Sequence, residues 1–207
     1  MPYEKCSDVS REYWQELQQA DPDEIQRRIG MAPENGIWRL PFLNRELFVD
    51  PDQNRVWTSG TQDAEPNFRT CLTAILYLLQ VDPSALGTPV SPKELTGAST
   101  FIQAHGPHSL PTETLEQTFG ANLPAFLEAG RRLGASERED GDAALSLTVY
   151  PGLNVEVILW EADEEFPAQA SFTVPAHLER FMHLDAVLAL LQLVVGELQA
   201  AAPEADA

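Results

Sequence analysis

The sequence has few basic residues, and this shortage excludes several kinds of partner. Of its 207 residues, 13 are Lys or Arg and 32 are Asp or Glu, which gives a formal net charge of −19 at pH 7. The imbalance is steepest from Pro151 onward, where ten acids are accompanied by one base, Arg180. A field of this sign repels phosphate backbones and anionic lipid surfaces, so we expect no binding to nucleic acid or to membranes. The charge favours cations, basic peptides or a basic partner protein, although it also serves solubility alone.

Cysteine is scarce as well, and long apolar runs are missing. Cys6 and Cys71 make no framework, and Cys71 lies in an apolar helical stretch, which predicts a small buried hydrophobic residue. Two thiols without a pattern are typical of a reducing, cytosolic setting. The N-terminus lacks the apolar core of a signal peptide, and the longest apolar run, 186–195, is well short of the ~20 residues that a membrane span needs. We therefore expect a soluble, cytoplasmic protein.

The sequence also lacks motifs that would indicate an activity. It contains no glycine fingerprint for dinucleotides, no P-loop, no EF-hand loop, no nucleophile elbow and no cluster of Cys and His ligands. Nucleophilic catalysis therefore finds little support in the residues.

Periodicity predicts one α+β domain over residues 1–200, followed by a frayed acidic tail over 201–207. Helical spacing predicts a first helix that Ser7 or Asp8 caps and that runs to Ala20, and then helices at 22–29, 67–81, 112–119, 123–133 and 184–200. Alternation predicts strands at 37–43, 46–49, 55–58, 143–150, 155–160 and 170–174. The segment 82–111 reads as a long loop with at most one helical turn, at 92–95, and 136–142 reads as a charged turn. Strands in hairpin pairs separated by helices predict antiparallel sheet packed against several helices.

The segment 155–168, VEVILWEADEEFPA, is the strongest candidate for a site. A strand with one apolar face runs directly into adjacent carboxylates at Asp163, Glu164 and Glu165, flanked by Trp160 and Phe166. Three adjacent carboxylates repel, which raises the affinity of at least one of them for a proton or a cation. One interpretation is therefore a ligand or metal site. The other is a solvated acidic turn, with both rings anchoring the end of the strand in the core.

Two of the four histidines lie in the loop 97–108, GASTFIQAHGPH. His105 and His108 are three residues apart, but the intervening Gly-Pro prevents the helical placement that would direct both at one metal ion. A loop that brings His108 close to the acidic segment would complete a site. The alternative is that the His108 ring bonds a backbone carbonyl and fixes the loop.

Several segments in order resemble an uncharacterised domain-of-unknown-function family of bacteria and archaea, mostly anaerobes. The resemblance runs from about Tyr13 to Leu193 and rests on YWQEL, DPDEI, ILYLL, GASTF followed by GPH, FG…F…A…LG, GDAA and above all LWEADEEFPA. The segment SFTVPAHLERF, around Thr173, departs from the family pattern of a strand that ends in Phe-Asp.

The resemblance implies a setting more than an activity. Members of the family occur alone or beside iron–sulfur and corrinoid-linked modules, which implies a role with a cofactor or a cofactor-carrying partner in anaerobic one-carbon metabolism. This chain has no cysteine cluster and cannot hold an iron–sulfur centre by itself. The family positions that match His108, Asp163, Glu164, Glu165 and Phe166 are the natural candidates for a shared site.

Three hypotheses follow for the function. The first is a ligand- or partner-binding accessory protein with a pocket between the loop 97–108 and the turn 163–167. The second is a metal-assisted enzyme that uses His108 and the carboxylates of Asp163 to Glu165. The third is an acidic protein-interaction module that meets a basic partner.

Overall fold

Two antiparallel sheets and the helices packed against them make up the fold. The structure, a computed structural model, describes residues 4–59, 66–103 and 105–203. The helices in this part of the chain are α1 (Arg11–Gln19), α2 (Pro22–Ile29), α3 (Phe68–Gln80), α4 (Ala98–Phe101), α5 (Thr112–Phe119), α6 (Leu123–Arg132) and α7 (Leu184–Ala201). The strands are β1 (Trp38–Phe42), β2 (Arg45–Asp50), β3 (Arg55–Thr58), β4 (Pro89–Val90), β5 (Ser136–Arg138), β6 (Ala143–Tyr150), β7 (Leu153–Trp160) and β8 (Gln169–Pro175). The predicted single α+β domain with antiparallel sheet is confirmed.

The smaller sheet is a meander in the order β1-β2-β3. Its buried face carries Leu40, Phe42, Leu47, Val49 and Val56, all at most 1% exposed. Because side chains alternate along a strand, the residues between them point away from this core. Cross-strand register places Arg39 opposite Phe48, and Phe48 opposite Trp57, in one row on the outward face.

The larger sheet has the order β4-β8-β7-β6-β5. In β7, Leu153, Val155, Val157 and Leu159 are fully buried and alternate with more exposed residues. The predicted apolar face of this strand is confirmed. The two sheets meet near the end of β1, where the Leu43 amide donates to the Val149 carbonyl at 3.4 Å.

The helices α3 and α7 fill the centre of the core, and most of their side chains are buried. Among the described residues, α7 is long and apolar enough to cross a membrane by length and composition, but 56% of it is buried inside the fold. Its apolar side chains are therefore already used by core packing, with Leu190, Leu191 and Val194 fully buried.

The N-terminal helices begin at polar caps, as helix termini require. The predicted bounds of α2, 22–29, are confirmed, with Asp21 as its cap and Gly30 ending it in the left-handed region (φ 75°). The predicted cap of the first helix is wrong, because the Ser10 hydroxyl caps α1. Asp8 instead ends a 3-10 turn, Cys6–Asp8, and its carboxylate accepts the Glu4 and Lys5 amides at 2.9 Å each.

The expectation of two free thiols is wrong, because Cys6 and Cys71 form a disulfide. Their Cα atoms are 5.3 Å apart across 65 residues of sequence, and both residues are buried. The bond fixes the 3-10 turn Cys6–Asp8 against the first turn of α3, where the Phe68 amide also donates to the Glu4 carbonyl. The cytoplasmic prediction therefore loses its cysteine argument, since structural disulfides are typical of oxidising compartments.

Two segments contain more structure than the sequence predicts. The sequence predicts that Ser136–Arg138 is part of a charged turn, but it forms the edge strand β5. All three of its side chains are polar and exposed, so the sequence shows no alternation of apolar and polar residues there. In the predicted loop 82–111, the expected turn at 92–95 is a 3-10 turn at Pro92–Glu94, and the segment also contains a 3-10 turn at Pro83–Ala85, the short strand β4 and the one-turn helix α4. Of the predicted tail, 201–207, the last four residues lie outside the described part of the chain, and Ala201 still belongs to α7.

Candidate functional site

The predicted acidic segment is a closed turn between β7 and β8. The Asp163 amide donates to the Phe166 carbonyl at 3.0 Å, and the Asp163 carboxylate accepts the amides of Glu165 and Phe166 at 2.8 and 2.7 Å. Aspartate favours this position because its side chain can bond to the backbone two or three residues further on. One of the three predicted carboxylates therefore holds the turn closed, whereas those of Glu164 and Glu165 extend into solvent.

Hydrogen bonds on both sides fix where this turn leaves the sheet. On the β7 side, the Glu161 amide donates to the Asp142 carboxylate at 2.9 Å, and the Ala162 amide donates to the Gly120 carbonyl at 3.2 Å. On the β8 side, the Ala170 amide donates to the Glu116 carboxylate at 3.0 Å. The turn is therefore carried on a defined base formed by the end of α5 and the residues before β6.

Both predicted aromatic residues are exposed at this turn. Trp160 is 40% exposed and Phe166 is 60% exposed, and they are the exposed large hydrophobic side chains of the described residues. Folding normally buries such rings, because their exposure to water is unfavourable. Core packing therefore does not explain why both are exposed. We call residues 160–167 the acidic–aromatic turn.

The loop that carries His108 has contacts of its own. The His108 ring stacks on Phe101, with centroids 4.4 Å apart, and its Nε2 lies 3.9 Å from a carboxylate oxygen of Asp185 at the start of α7. The ring therefore rests on an aromatic side chain, and the loop is held instead by the Gln103 amide, which donates to the His108 carbonyl at 3.2 Å. Within the described residues, no hydrogen bond or ion pair joins His108 to the acidic–aromatic turn.

Metal ligation requires several donors to converge on one point. In the ranges 4–59, 66–103 and 105–203, no group of three or more His, Cys, Asp or Glu side chains is arranged to hold a metal ion. His105 lies exposed in the loop beside the residue that the structure does not describe.

The most perturbed ionisable groups serve the core. Burial raises the pKa of Tyr150, whose hydroxyl bonds Thr73 at 2.9 Å, and burial likewise raises the pKa of Tyr77, whose hydroxyl donates to the Pro151 carbonyl at 2.8 Å. Partial burial lowers the pKa of Arg28, which donates to the carbonyls of Leu78 and Leu79 at the end of α3. Each of these groups already has a partner within the fold, so their shifted pKa values reflect packing.

A groove that the sequence analysis missed lies on the outward face of the smaller sheet. It has a volume of about 400 Å³ and is lined by Glu34, Asn35, Ile37, Arg39, Phe48, Trp57 and Ser59. The rings of Phe48 and Trp57 stack across the strands with centroids 5.4 Å apart and planes 11° apart, and the Arg55 guanidinium lies 5.4 Å from the Trp57 centroid. We call this the aromatic–arginine groove.

A tight hairpin forms one wall of the groove. Glu34 and Ile37 exchange both backbone hydrogen bonds, at 2.9 and 3.0 Å, around the two-residue loop Asn35-Gly36. Both loop residues have positive φ, 52° and 80°, which is the geometry that Asn-Gly favours in hairpins. The sequence signal for the groove is the placement of Phe48 and Trp57 at positions where alternation predicts outward, polar residues.

A comparison with protein-family models matches residues 21–197 to a domain of unknown function, DUF3786. The chain belongs to this family. The matched range includes both the aromatic–arginine groove and the acidic–aromatic turn. Comparison with curated proteins and with solved structures gives no match.

Proposed function

We propose that this protein is a non-catalytic accessory protein that binds a basic partner protein through the acidic–aromatic turn. The observation that carries the proposal is the joint exposure of Trp160 and Phe166 around Glu164 and Glu165. Aromatic side chains supply most of the binding energy at protein interfaces, and charges around them select and steer the partner.

Chemical complementarity defines the partner. Exposed rings bind guanidinium groups and aliphatic side chains, and the surrounding carboxylates pair with Arg or Lys. The proposed partner surface therefore combines arginine with apolar residues. The net charge of −19 adds long-range attraction for such a surface and repels nucleic acid, which the proposal excludes as a partner.

The anchoring of the turn supports recognition more than catalysis. Its ends are fixed by bonds to Gly120, Asp142 and Glu116, and the Asp163 carboxylate is engaged in closing the turn. A rigid, projecting surface loses little conformational entropy when a partner docks.

The test uses a short capped peptide of alternating arginine and leucine, titrated against the full chain by calorimetry. The double variant Glu164→Gln/Glu165→Gln has a matched control in Glu12→Gln/Glu16→Gln, which removes two equally exposed carboxylates from α1. We expect the turn variant to raise the Kd roughly fivefold, as two surface ion pairs warrant, and the α1 variant to raise it less than twofold. Equal changes in both variants would show attraction by bulk charge alone and would refute the proposal.

A second comparison isolates the rings. Trp160→Ala/Phe166→Ala should weaken binding of the arginine–leucine peptide and leave binding of an arginine–glycine peptide of equal charge unchanged. Equal loss for both peptides would mean that the rings act only by holding the turn in place.

A further inference from the structure

We propose that the aromatic–arginine groove is a second site, separate from the acidic–aromatic turn, which binds a small heteroaromatic ligand carrying a phosphate or carboxylate. The volume of about 400 Å³ lies within the roughly 300–1,000 Å³ typical of small-molecule sites. The groove combines a flat apolar wall with a few polar groups, which is the composition of such sites.

The flat wall fits a ring. Phe48 and Trp57 are half-buried and stack on one another, and the Arg55 guanidinium lies over the Trp57 ring, so the rings are held rigidly and line the groove with the surfaces that these contacts leave uncovered. A rigid wall loses little entropy when a planar ligand packs against it. Their orientation is set by the register of β1, β2 and β3, which places them in one row with Arg39.

Arg39 supplies the donor for the anionic group. Glu46 accepts from its Nε at 2.6 Å and also contacts Nη2, which holds the guanidinium plane in place. The remaining nitrogen, Nη1, has no partner among the described residues. A guanidinium fixed on one edge and open on another suits a phosphate or carboxylate, because planar donors match these groups geometrically.

The hairpin 34–37 adds acceptors to the groove. Glu34 and Asn35 line it and contribute acceptor oxygens, and, after the hydrogen bond to Glu46, the Glu34 carboxylate also helps to raise the pKa of Arg39. These oxygens can accept a hydrogen bond from a ring N–H or an exocyclic amine. Such acceptors favour a heteroaromatic ring over a plain hydrocarbon ring.

The overall negative charge does not exclude an anionic ligand of this size. Charges separated by more than about 8 Å of solvent are largely screened at physiological ionic strength. Arg39 and Arg55 are two of 13 basic residues in the chain and both lie on this face. They offset two carboxylates at the same face, those of Glu34 and Glu46.

The test measures binding of mononucleotides to the full-length protein by amide chemical shifts in NMR. Adenosine monophosphate and flavin mononucleotide provide ring and anion together, adenosine provides the ring alone, and ribose 5-phosphate provides the anion alone. We expect at least one mononucleotide to shift the amides of residues 34–39, 48 and 57, with a Kd about tenfold below those of the two partial probes. No shift with either mononucleotide, or equal affinity for a partial probe, would overturn the proposal.

Matched variants assign the contacts. Arg39→Gln should raise the mononucleotide Kd about tenfold and leave that of adenosine unchanged. Arg131→Gln is the control, because Arg131 is equally exposed and is likewise paired with a glutamate, Glu128. Equal effects of the two arginine variants would show non-specific charge attraction, and an effect of Trp160→Ala/Phe166→Ala would show that the groove is not a separate site.

Discussion

The aromatic–arginine groove and the acidic–aromatic turn both hold two aromatic side chains at the surface, but by different means. In the groove, Phe48 and Trp57 lie inside hydrogen-bonded strands and stack on each other. In the turn, Phe166 follows the end of a strand, and the bonds that close the turn come from its own Asp163. The sheet therefore fixes the groove's shape by register, whereas local side-chain chemistry fixes the turn. We expect the groove to depend on global stability and the turn to tolerate change.

The largest expected effect tests whether both surfaces belong to one cooperative unit. Replacing both cysteines, as Cys6→Ala/Cys71→Ala, should lower the free energy of unfolding by about 3 kcal/mol, because the unfolded chain gains the freedom of a long loop. Hydrogen exchange should accelerate equally in β2 and β7, since a single core joins the sheets.

Unfolding the unmodified chain in urea with a reductant checks this result independently, since it opens the same bond without a substitution. Faster exchange in β2 alone would show that the two sheets unfold separately. An unchanged midpoint would show that the disulfide contributes nothing.

The next largest effect is expected from a substitution at the base of the acidic–aromatic turn. A Cβ added at Gly120 would lie 2.3 Å from the Ala168 Cβ and 2.4 Å from the Glu116 carbonyl oxygen. Gly120→Ala should therefore cost about 2 kcal/mol, measured by chemical denaturation, because backbone must move to relieve the overlap.

Gly196→Ala provides the matched control within α7. A Cβ at this exposed helix position meets no atom within 4 Å, so the same substitution should stabilise the protein by about 0.5–1 kcal/mol. Destabilisation of similar size at both positions would contradict the close approach of α5 to residue 168.

A smaller effect compares the two tryptophans directly. Trp57→Ala should cost about 2 kcal/mol, because it removes a half-buried ring and its stack with Phe48, whereas Trp160→Ala should cost about 1 kcal/mol or less. Denaturation of both variants by urea measures the difference. A larger loss at Trp160 would mean that its ring belongs to the core and is unavailable to a partner.

The smallest effect concerns Asp163. Asp163→Asn keeps an acceptor oxygen for the amides of Glu165 and Phe166 and should change the free energy of unfolding by less than about 0.5 kcal/mol. Asp163→Ala removes the acceptor and should accelerate hydrogen exchange of those two amides by about tenfold, with little global effect. Identical exchange in the two variants would show that the carboxylate does not close the turn.

The sequence predicts features whose signal is local. The alternation of Val155, Val157 and Leu159, the apolar period of α3 and the start of α2 at Pro22 each depend on a few neighbouring residues, and all three predictions are confirmed. The adjacency of Asp163, Glu164 and Glu165 likewise identifies an exposed turn, although the ligand that it binds stays a prediction.

Features that depend on distant residues are the ones that the sequence analysis missed. Cys6 and Cys71 are 65 residues apart, and their approach follows from how the N-terminal segment crosses α3. Arg39, Phe48 and Trp57 become neighbours only through the register of three strands. Neither arrangement has a local pattern. Phe101 and His108 lie in the same loop, but an irregular loop has no period from which their stacking could be predicted.

The burial of both cysteine residues affects when the disulfide can form and when it can be reduced. Thiol–disulfide exchange requires an attacking thiolate to reach one of the two sulfur atoms. In the native fold Cys6 and Cys71 are both buried, so a thiolate in solution does not reach them. The bond is therefore protected once the chain has folded around it. A disulfide found in purified protein would therefore indicate that the chain folded under oxidising conditions. A later change to reducing conditions would leave the bond intact as long as the protein stays folded.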